Sequence, residues 1–361
     1  MQALARNRLH ESLCKERPFM STVSDVAAVA GVSPSTVSRV LNGKGRGFIS
    51  EATAQRVRQA AEELGYQPSA AARSLVTGYS RTVAFCCSPT YDSAMAELMR
   101  AVHDATRTAG YHMLLVDGDD FDEITQLLVE RRVDAIVWSH YPIHEADTLT
   151  EHFAAPHQSA IAIGEIAEHV PAKVHSAYWD DGQGMRMLLE HLCALGHTHM
   201  AYLAGCHSGN RSKLLGFERA CGELGVRADT IWCDDETDRI GAGVAMACRA
   251  LARSERPTAL LARHNDFALG AICALENAGL VVPDDMSVTG YHESWDIVHT
   301  RPPLTTVRTP ELQAVSSALP ALLSKLCSDA TACEPTSMRL DLELVVRAST
   351  SAPCGARQTK G

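Results

Sequence analysis

The sequence has no long apolar run. No stretch reaches the roughly 18 uninterrupted apolar residues that mark a membrane-spanning helix. The first 20 residues carry six charged side chains with no apolar core between them, so they do not have the pattern of a secretory signal peptide. These absences exclude an integral membrane protein, and they predict a cytoplasmic chain with no membrane partner.

Paired cysteine motifs are absent as well. The 12 cysteines are scattered over 361 residues, and none forms a Cys-x-x-Cys pair, the spacing typical of zinc sites and redox centres. We therefore expect reduced thiols, no metal and no cofactor.

Charge is unevenly distributed along the chain. The formal net charge is −10, yet the first 81 residues hold 11 basic and 6 acidic side chains, so that end is positive. A small basic module on an acidic body is typical of a DNA-binding head joined to a sensor, since only the head has to neutralise phosphates.

The basic end begins with two predicted helices, in the run TVSDVAAVAGVSPSTVSRVLNG that starts at Thr22. Apolar side chains recur with helical spacing at Val26, Val29 and Ala30, and again at Val37, Val40 and Leu41. Gly31 permits the positive φ of a tight turn, and Ser33 followed by Pro34 supplies an N-cap and a first-turn proline. The exposed face of the second helix is predicted to be small, polar and basic, which suits a DNA groove.

A third helix is predicted to begin after a cap at Ser50 and to stop at Gly65. On pattern alone, the three helices fit either a DNA-binding helix-turn-helix or a generic three-helix bundle. Together with ISEATAQRVRQAAEELGYQP and AAARSL, however, the first run closely resembles the headpiece of the LacI/GalR family of bacterial regulators. The stretch GKGRGF, from Gly43 to Phe48, is about two residues longer than is usual in the family, and Lys44 and Arg46 could add phosphate contacts there.

The resemblance implies roles for individual residues. Ser24 and Thr36 are expected against phosphates and Asn42 at the end of the recognition helix. Three residues are expected to face bases: Pro34, Ser35 and Arg39. The predicted DNA-binding residues are Thr22, Ser24, Ser33, Pro34, Ser35, Thr36, Ser38, Arg39, Asn42 and Leu75. Leu75 belongs to a short hinge helix that the family inserts into the minor groove.

Beyond Arg81, short apolar runs alternate with helical patterns, and the alternation restarts at HMAYLAG. This rhythm predicts parallel sheets with helices on both faces. Two such lobes in tandem resemble the periplasmic-binding-protein-like core of the same family. The predicted fold is thus an all-α helix-turn-helix headpiece followed by an α/β two-lobed core.

Enzyme motifs are incomplete. IGAGVAM has Met246 where a dinucleotide fingerprint needs its third glycine, and the GCHSG segment is not a nucleophile elbow. We therefore expect no enzyme and no catalytic residue. A solute-binding protein with the same core is the alternative, but it would need a signal peptide in place of the helix-turn-helix.

Effector candidates are polar residues that follow apolar runs, because ligands of such cores bind between the lobes at strand ends. They are Ser88, Asp92, Lys213, Asn265, Asp266 and His292. His292 stands where sugar-binding members often carry aspartate, and Lys213 where many carry arginine. Gluconate-responsive members look similar at both positions, which favours a sugar acid. Two alternatives remain open: Lys213 pairs with Asp266, or Arg211 is the real ligand contact.

The family implies a homodimer on a pseudo-palindromic operator. The tail has no leucine and contains Pro353 and Gly355, so it cannot form a tetramerising heptad helix. The predicted segments are a disordered extension at 1–20, the DNA-binding domain at 21–66, a hinge helix and linker at 67–80, the effector-binding and dimerisation core at 81–349, and a flexible tail at 350–361.

Overall fold

The computed structural model describes residues 21–42, 48–67, 69, 74, 77–87, 92–139, 159–165, 174–206, 211–326 and 336–354. The predictions for residues 1–20, Lys44, Arg46, Leu75 and Ser88 lie outside these ranges. The prediction for Arg211 also lies outside the described part, because only the backbone of that residue is described. The chain divides into two compact units, Met1–Ser80 and Arg81–Gly361.

The first unit contains three helices, which are α1 (Val23–Ala30), α2 (Pro34–Leu41) and α3 (Glu51–Glu63). Each begins at a hydroxyl cap, as the sequence predicts for α2 and α3: the side chains of Thr22, Ser33 and Ser50 accept backbone N–H groups of the first turns. Gly31 ends α1 with φ 66°, the left-handed conformation that its turn requires.

Three valines, Val26, Val37 and Val57, form the fully buried centre of this unit, one from each helix. The prediction that Val29 joins them is wrong, since its side chain is 56% exposed. Ala27 is buried instead, because the face of α1 that meets the other helices runs through positions 26, 27 and 30.

The second unit contains two parallel sheets. The first lobe is built around a six-stranded sheet in the order β11-β5-β4-β3-β1-β2. Its strands are β1 (Thr82–Cys87), β2 (His112–Asp117), β3 (Ala135–Ser139), β4 (Ser159–Glu165), β5 (His175–Trp179) and β11 (Ser337–Arg339), and its helices are α4 (Ser93–Thr108), α5 (Phe121–Val129) and α10 (Glu311–Leu326).

Both faces of the first-lobe sheet are covered. Along β1, Val83, Phe85 and Cys87 pack in one apolar cluster with residues of α4 and α10, while Ala84 and Cys86 pack in another with residues of α5. Successive side chains of a strand point to opposite faces, so a strand covered on both sides has to be apolar throughout. This explains the continuous run TVAFCC.

The second lobe has a four-stranded parallel sheet in the order β7-β6-β8-β9. Its strands are β6 (His199–Ala204), β7 (Arg227–Trp232), β8 (Ala259–Ala262) and β9 (Ser287–Thr289), and its helices are α6 (Asp181–Ala194), α7 (Arg211–Leu224), α8 (Arg239–Leu251) and α9 (Asn265–Asn277). A small antiparallel pair, β10 (Thr306–Arg308) with β12 (Glu343–Val345), packs its apolar residues into the same core as α6.

The chain crosses between lobes at least three times. It passes from β5 to α6 near residue 180, from β10 to α10 near residue 310, and back from β11 to β12. Two side chains at these crossings, Asp181 and Glu311, contact residues of the site described below.

The prediction of a flexible tail that starts at residue 350 is wrong for its first two residues. His191 Nε2 lies 2.9 Å from the hydroxyl of Thr350, and the carbonyl of Ser351 accepts a hydrogen bond from the His197 ring. The backbone N–H of Ser351 donates to Ser287 Oγ. These contacts extend the ordered second lobe through residue 351.

A search of the described helices for one long and apolar enough to cross a bilayer finds none.

Candidate nucleic-acid interface and interlobe site

The outward face of α2 carries the side chains predicted to meet DNA. Ser33, Pro34, Ser35 and Arg39 are exposed, while Thr36 and Ser38 are half-buried. Backbone N–H groups at the start of a helix bear partial positive charge, so the exposed N-terminus of α2 suits phosphate contacts. Arg39, in the last turn, adds a cation to the same helix.

Hydroxyl groups at the start of α2 form a short hydrogen-bonded chain. Ser33 Oγ lies 2.8 Å from Ser35 Oγ and 2.9 Å from Thr36 Oγ1. At the other end of the helix, Asn42 Nδ2 donates to Ser38 Oγ over 3.2 Å. These contacts orient five polar groups on one helix before any partner arrives.

Thr22 has a structural role at the start of α1. Its backbone N–H donates to Asp25 Oδ2 over 2.7 Å, and its hydroxyl accepts from the Asp25 backbone, which completes a capping box. The backbone N–H and the hydroxyl of Thr22 both donate to the Asp25 carboxylate, which lowers the pKa of that carboxyl. Ser24, the next predicted contact, is exposed on the same turn.

Lys213 lies in the first turn of α7 and is only 1% exposed. Its Nζ lies 2.9 Å from His292 Nε2, 3.8 Å from Asp181 Oδ2 and 4.0 Å from the centroid of the Tyr291 ring. Among the described residues its carboxylate partner is thus Asp181 and not Asp266, the partner in one of the two alternatives that the sequence left open. In this conformation the ammonium group contacts protein groups, so an effector contact by Lys213 stays a prediction.

His292 links Lys213 to the crossing near residue 310. Its Nδ1 lies 2.9 Å from Thr309 Oγ1 and 3.0 Å from Glu311 Oε1. An ammonium group only donates, so His292 Nε2 has to accept from Lys213, and Nδ1 carries the proton that faces Glu311. Burial alone would raise the pKa of the Glu311 carboxyl, but hydrogen bonds from His292, from Thr309 and from its own backbone lower it to about 2.

Asn265 starts α9 and holds the backbone after β9. Its Nδ2 donates to the carbonyl of His292 over 3.0 Å and to Ser294 Oγ over 3.2 Å. His292 has a φ of 75°, which is rare for a residue other than glycine. The Asn265 Oδ1 atom is buried and has no hydrogen-bond partner among the described residues, so it is an acceptor with unused capacity.

Polar contacts join the lobes across their boundary. Arg239 Nη1 of α8 donates to Asp92 Oδ2 over 3.2 Å, and Ser93 Oγ donates to Asp296 Oδ2 over 2.8 Å. Asp92 also caps α4, because its Oδ1 accepts the backbone N–H of Met95. The start of α4 and the start of α8 therefore face each other.

Asp266 lies near this bridge. Burial, and next the negative charge of Asp92, raise the pKa of the Asp266 carboxyl, while the charge of Arg239 opposes the rise. The structure thus brings together five predicted residues, here called the interlobe site: Asp92, Lys213, Asn265, Asp266 and His292.

Four residues that the sequence reasoning missed join the interlobe site. They are Glu236, Arg239, Arg263 and His264. Arg263 Nη1 donates to Glu236 Oε1 over 2.9 Å with both side chains nearly buried. Burial, and next the charges of Arg263 and Arg239, lower the pKa of His264 well below its usual value, so its ring is neutral. Arg263 and His264 directly follow β8, the same signal that identified Asn265.

Comparison with known proteins finds a matching domain family for each of the two units. Residues 22–69 match the family described as bacterial regulatory proteins, lacI family, and residues 189–350 match a periplasmic binding protein-like domain. A solute-binding protein would have no such DNA-binding domain. The match at residues 22–69 therefore excludes the alternative of a solute-binding protein with the same core.

Whole-chain relatives agree. The HTH-type transcriptional repressor PurR of Photobacterium profundum is 30% identical over 338 residues, which cover 91% of this chain and 98% of the relative. A PurR of Vibrio cholerae (strain M66-2) is 30% identical over 315 residues, covering 85% and 92%.

Solved structures show the same architecture. The lac repressor dimer bound to operator and the anti-inducer ONPF aligns with a TM-score of 0.77 at 26% identity, covering 92% of this chain and 100% of that one. The regulator CelR in complex with cellobiose aligns at 0.63 and 27% identity, covering 91% and 99%. The predicted headpiece and two-lobed core are confirmed, and the chain belongs to the lacI family of DNA-binding bacterial transcription regulators.

Proposed function

We propose that this regulator is a repressor that binds a pseudo-palindromic operator as a homodimer, with α2 lying in the major groove of each half-site. The exposed face of α2, with its capped N-terminus at Ser33 and the cation of Arg39, carries the proposal. A two-fold protein reads a two-fold site, and a solved relative is described as a dimer bound to operator.

The contacts divide into two classes. Ser24 and Thr36, with the backbone at the start of α2, are assigned to phosphates, and Ser35 and Arg39 to base edges. Phosphate contacts supply affinity that falls with salt, whereas base contacts supply the preference for the operator. Contacts of four further residues with DNA remain predictions from the sequence: Thr22, Ser38, Asn42 and Leu75.

The effector in this proposal is a sugar acid bound at the interlobe site. Arg239 presents a guanidinium at the lobe boundary, and its present partner is the carboxylate of Asp92. A ligand carboxylate can replace Asp92 on Arg239 with charge-assisted hydrogen bonds. Asp92 and Asp266 would then accept ligand hydroxyl groups, as carboxylates do in sugar sites.

The structure changes which cation supports this idea. Lys213 is enclosed and already contacts His292 and Asp181, so its ammonium group is less accessible to a ligand. Arg239 is 13% exposed in its side chain and lies on the boundary itself. The argument for an anionic ligand therefore rests mainly on Arg239, with Asn265 Oδ1 and His264 as neutral polar groups beside it.

A thermal-shift screen of the full chain tests the effector. Gluconate and other aldonates are compared with ribose and cellobiose, neutral sugars named with solved structures similar to this chain. A ligand at 100 times its Kd stabilises by about 2.7 kcal/mol, so binding gives a clear rise in Tm. Stabilisation by neutral sugars without any by aldonates would contradict the sugar acid.

Operator binding is tested separately. DNA fragments from upstream of the chain's own gene are selected for binding, and the complex is sized by light scattering. Two chains per palindromic site are expected, with affinity that falls steeply as salt rises. One chain per site, or equal affinity for random DNA, would contradict the dimeric operator-binding proposal whatever the effector is.

A further inference from the structure

Two cysteines meet at the carboxyl ends of neighbouring strands in the second lobe. Cys206 lies two residues after β6, and Cys233 directly follows β7. The two Sγ atoms and a carboxylate oxygen of Glu236 all lie within 4.8 Å of one another. Cys206 is exposed, whereas Cys233 is 4% exposed.

The backbone geometry suits a disulfide. Strands β6 and β7 are parallel partners, and the pairing continues past β7 because Cys233 N donates to the carbonyl of Ala204 over 3.0 Å. Gly205 is the residue opposite Cys233, and the chain bends at Cys206, just beyond the end of β6. The two Sγ atoms already lie within 4.8 Å of each other, so rotation of the side chains can bring them towards the S–S distance of about 2.05 Å.

Coordination of a metal cation by the same group is disfavoured by its surroundings. Glu236 Oε1 accepts from Arg263 Nη1 over 2.9 Å, and Glu236 Oε2 lies 3.9 Å from Arg239 Nε. The carboxylate is therefore already neutralised by two guanidinium groups. A further cation at this position would be repelled by both of them.

We propose that Cys206 and Cys233 form a reversible disulfide when the protein meets a hydroperoxide. The exposed Cys206 sulfur attacks the peroxide, the O–O bond breaks, and a sulfenic acid and one water form from hydrogen peroxide. The Cys233 sulfur then attacks the Cys206 sulfur, the S–O bond breaks, and the oxygen leaves as a second water with the Cys233 proton. Two thiols are oxidised and one peroxide is reduced.

The two cysteines have different environments, which sets the order of these steps. Burial, and next the hydrogen bond with Cys206, raise the pKa of the Cys233 thiol to about 11. A protonated, enclosed thiol is a poor first target for an oxidant but a suitable resolving group beside a sulfenic acid. Cys206 is the side chain that solvent reaches.

The disulfide would act on the interlobe site through Glu236. Gly205, which precedes Cys206, packs so closely on Arg263 that a Cβ built there would overlap the guanidinium and Glu236. Rotation of the Cys233 side chain moves its sulfur relative to Glu236 Oε1, which lies 4.0 Å away, and it thereby displaces the Arg263–Glu236 pair that adjoins Arg239. This coupling rests on the proposed effector site, whereas the disulfide itself does not.

The test uses the full reduced chain, treated with hydrogen peroxide, alkylated and digested for mass spectrometry. We expect a peptide that links Cys206 to Cys233, and its loss when dithiothreitol is added. Cys206→Ser and, independently, Cys233→Ala should abolish the link. Cys273→Ser, which removes another exposed cysteine, is the matched control and should retain it.

Other results would overturn the proposal. A link from Cys206 to a different cysteine, a sulfinic acid on Cys206 without any link, or stoichiometric Zn²⁺ binding that protects both thiols would each contradict a disulfide switch. The coupling is tested with gluconate as the probe, by comparing its thermal shift in the reduced and linked proteins. An unchanged shift in the linked protein would overturn the coupling and leave the disulfide standing.

Discussion

The Nζ atom of Lys213 lies 2.9 Å from Nε2 of His292, deep in the second lobe. This contact links two of the crossings between the lobes. Lys213 also faces Asp181 at the first crossing, and His292 faces Glu311 at the second. A buried lysine that would be costly alone is thereby neutralised. The same contact means that Lys213 supports both stability and the position of the interlobe site.

Replacing Lys213 with methionine should lower the free energy of unfolding. The variant keeps the apolar stem but leaves the buried Asp181 carboxylate without its cation, and breaking a buried pair in this way costs about 3–5 kcal/mol. Urea denaturation of the full chain measures the loss. Arg219→Met on the exposed face of the same helix is the control and should change stability by less than about 0.5 kcal/mol. Equal stability of the two variants would contradict the pairing.

The sequence predicts the elements of the fold well. Apolar periodicity predicts one helix at Lys213–Leu224 and another at Gly241–Ala252. The structure has them at Arg211–Leu224 and Arg239–Leu251. Apolar periodicity locates the buried middle of a helix, whereas its start depends on a cap. For the second helix that cap is Asp238, whose side chain accepts the backbone N–H of Gly241.

The partners within the interlobe site could not be predicted in the same way. The Lys213–Asp181 and Arg239–Asp92 pairs join residues that are 32 and 147 positions apart, and no local pattern encodes such pairing. Val29 shows that burial is hard to predict even within one helix. Helical spacing groups Val29 with Val26 and Ala30, but it does not show which edge of that apolar face packs against the other helices. Arg263, by contrast, could have been predicted. It directly follows an apolar run, which is the criterion that selected Asn265.

Replacing Arg39 with alanine should weaken operator binding by roughly 1–3 kcal/mol, as the loss of a base contact does. The side chain is exposed on α2, so the fold and Tm should be unchanged. Fluorescence anisotropy with operator and random DNA measures both affinities. Arg56→Ala, an exposed arginine on α3, is the matched control. Equal losses on the two DNAs for Arg39→Ala would assign it to a phosphate instead.

Stability should fall as the pH drops from about 4.5 towards 2, in part because of Glu311. Its folded pKa of about 2 lies below the ordinary value of 4.5, so its ionised form favours the folded state above pH 4.5. That contribution, on the order of 3 kcal/mol, is lost as the carboxyl is protonated. Urea denaturation at several pH values should show a shallower slope in this range for Glu311→Gln. Parallel slopes would contradict the assignment.

Replacing Arg239 with glutamine should separate ligand binding from folding. Arg239 bridges to Asp92 across the lobe boundary and is the cation proposed to hold the ligand carboxylate. The variant should therefore lose most of the thermal shift with gluconate, while operator affinity without ligand is retained, since the headpiece is unchanged. Arg249→Gln lies on the same helix, pairs with the exposed Asp234, and should keep the full shift. Because a part-exposed pair contributes only about 1 kcal/mol or less to stability, both variants should fold. A retained gluconate shift in Arg239→Gln would move the carboxylate contact to another cation.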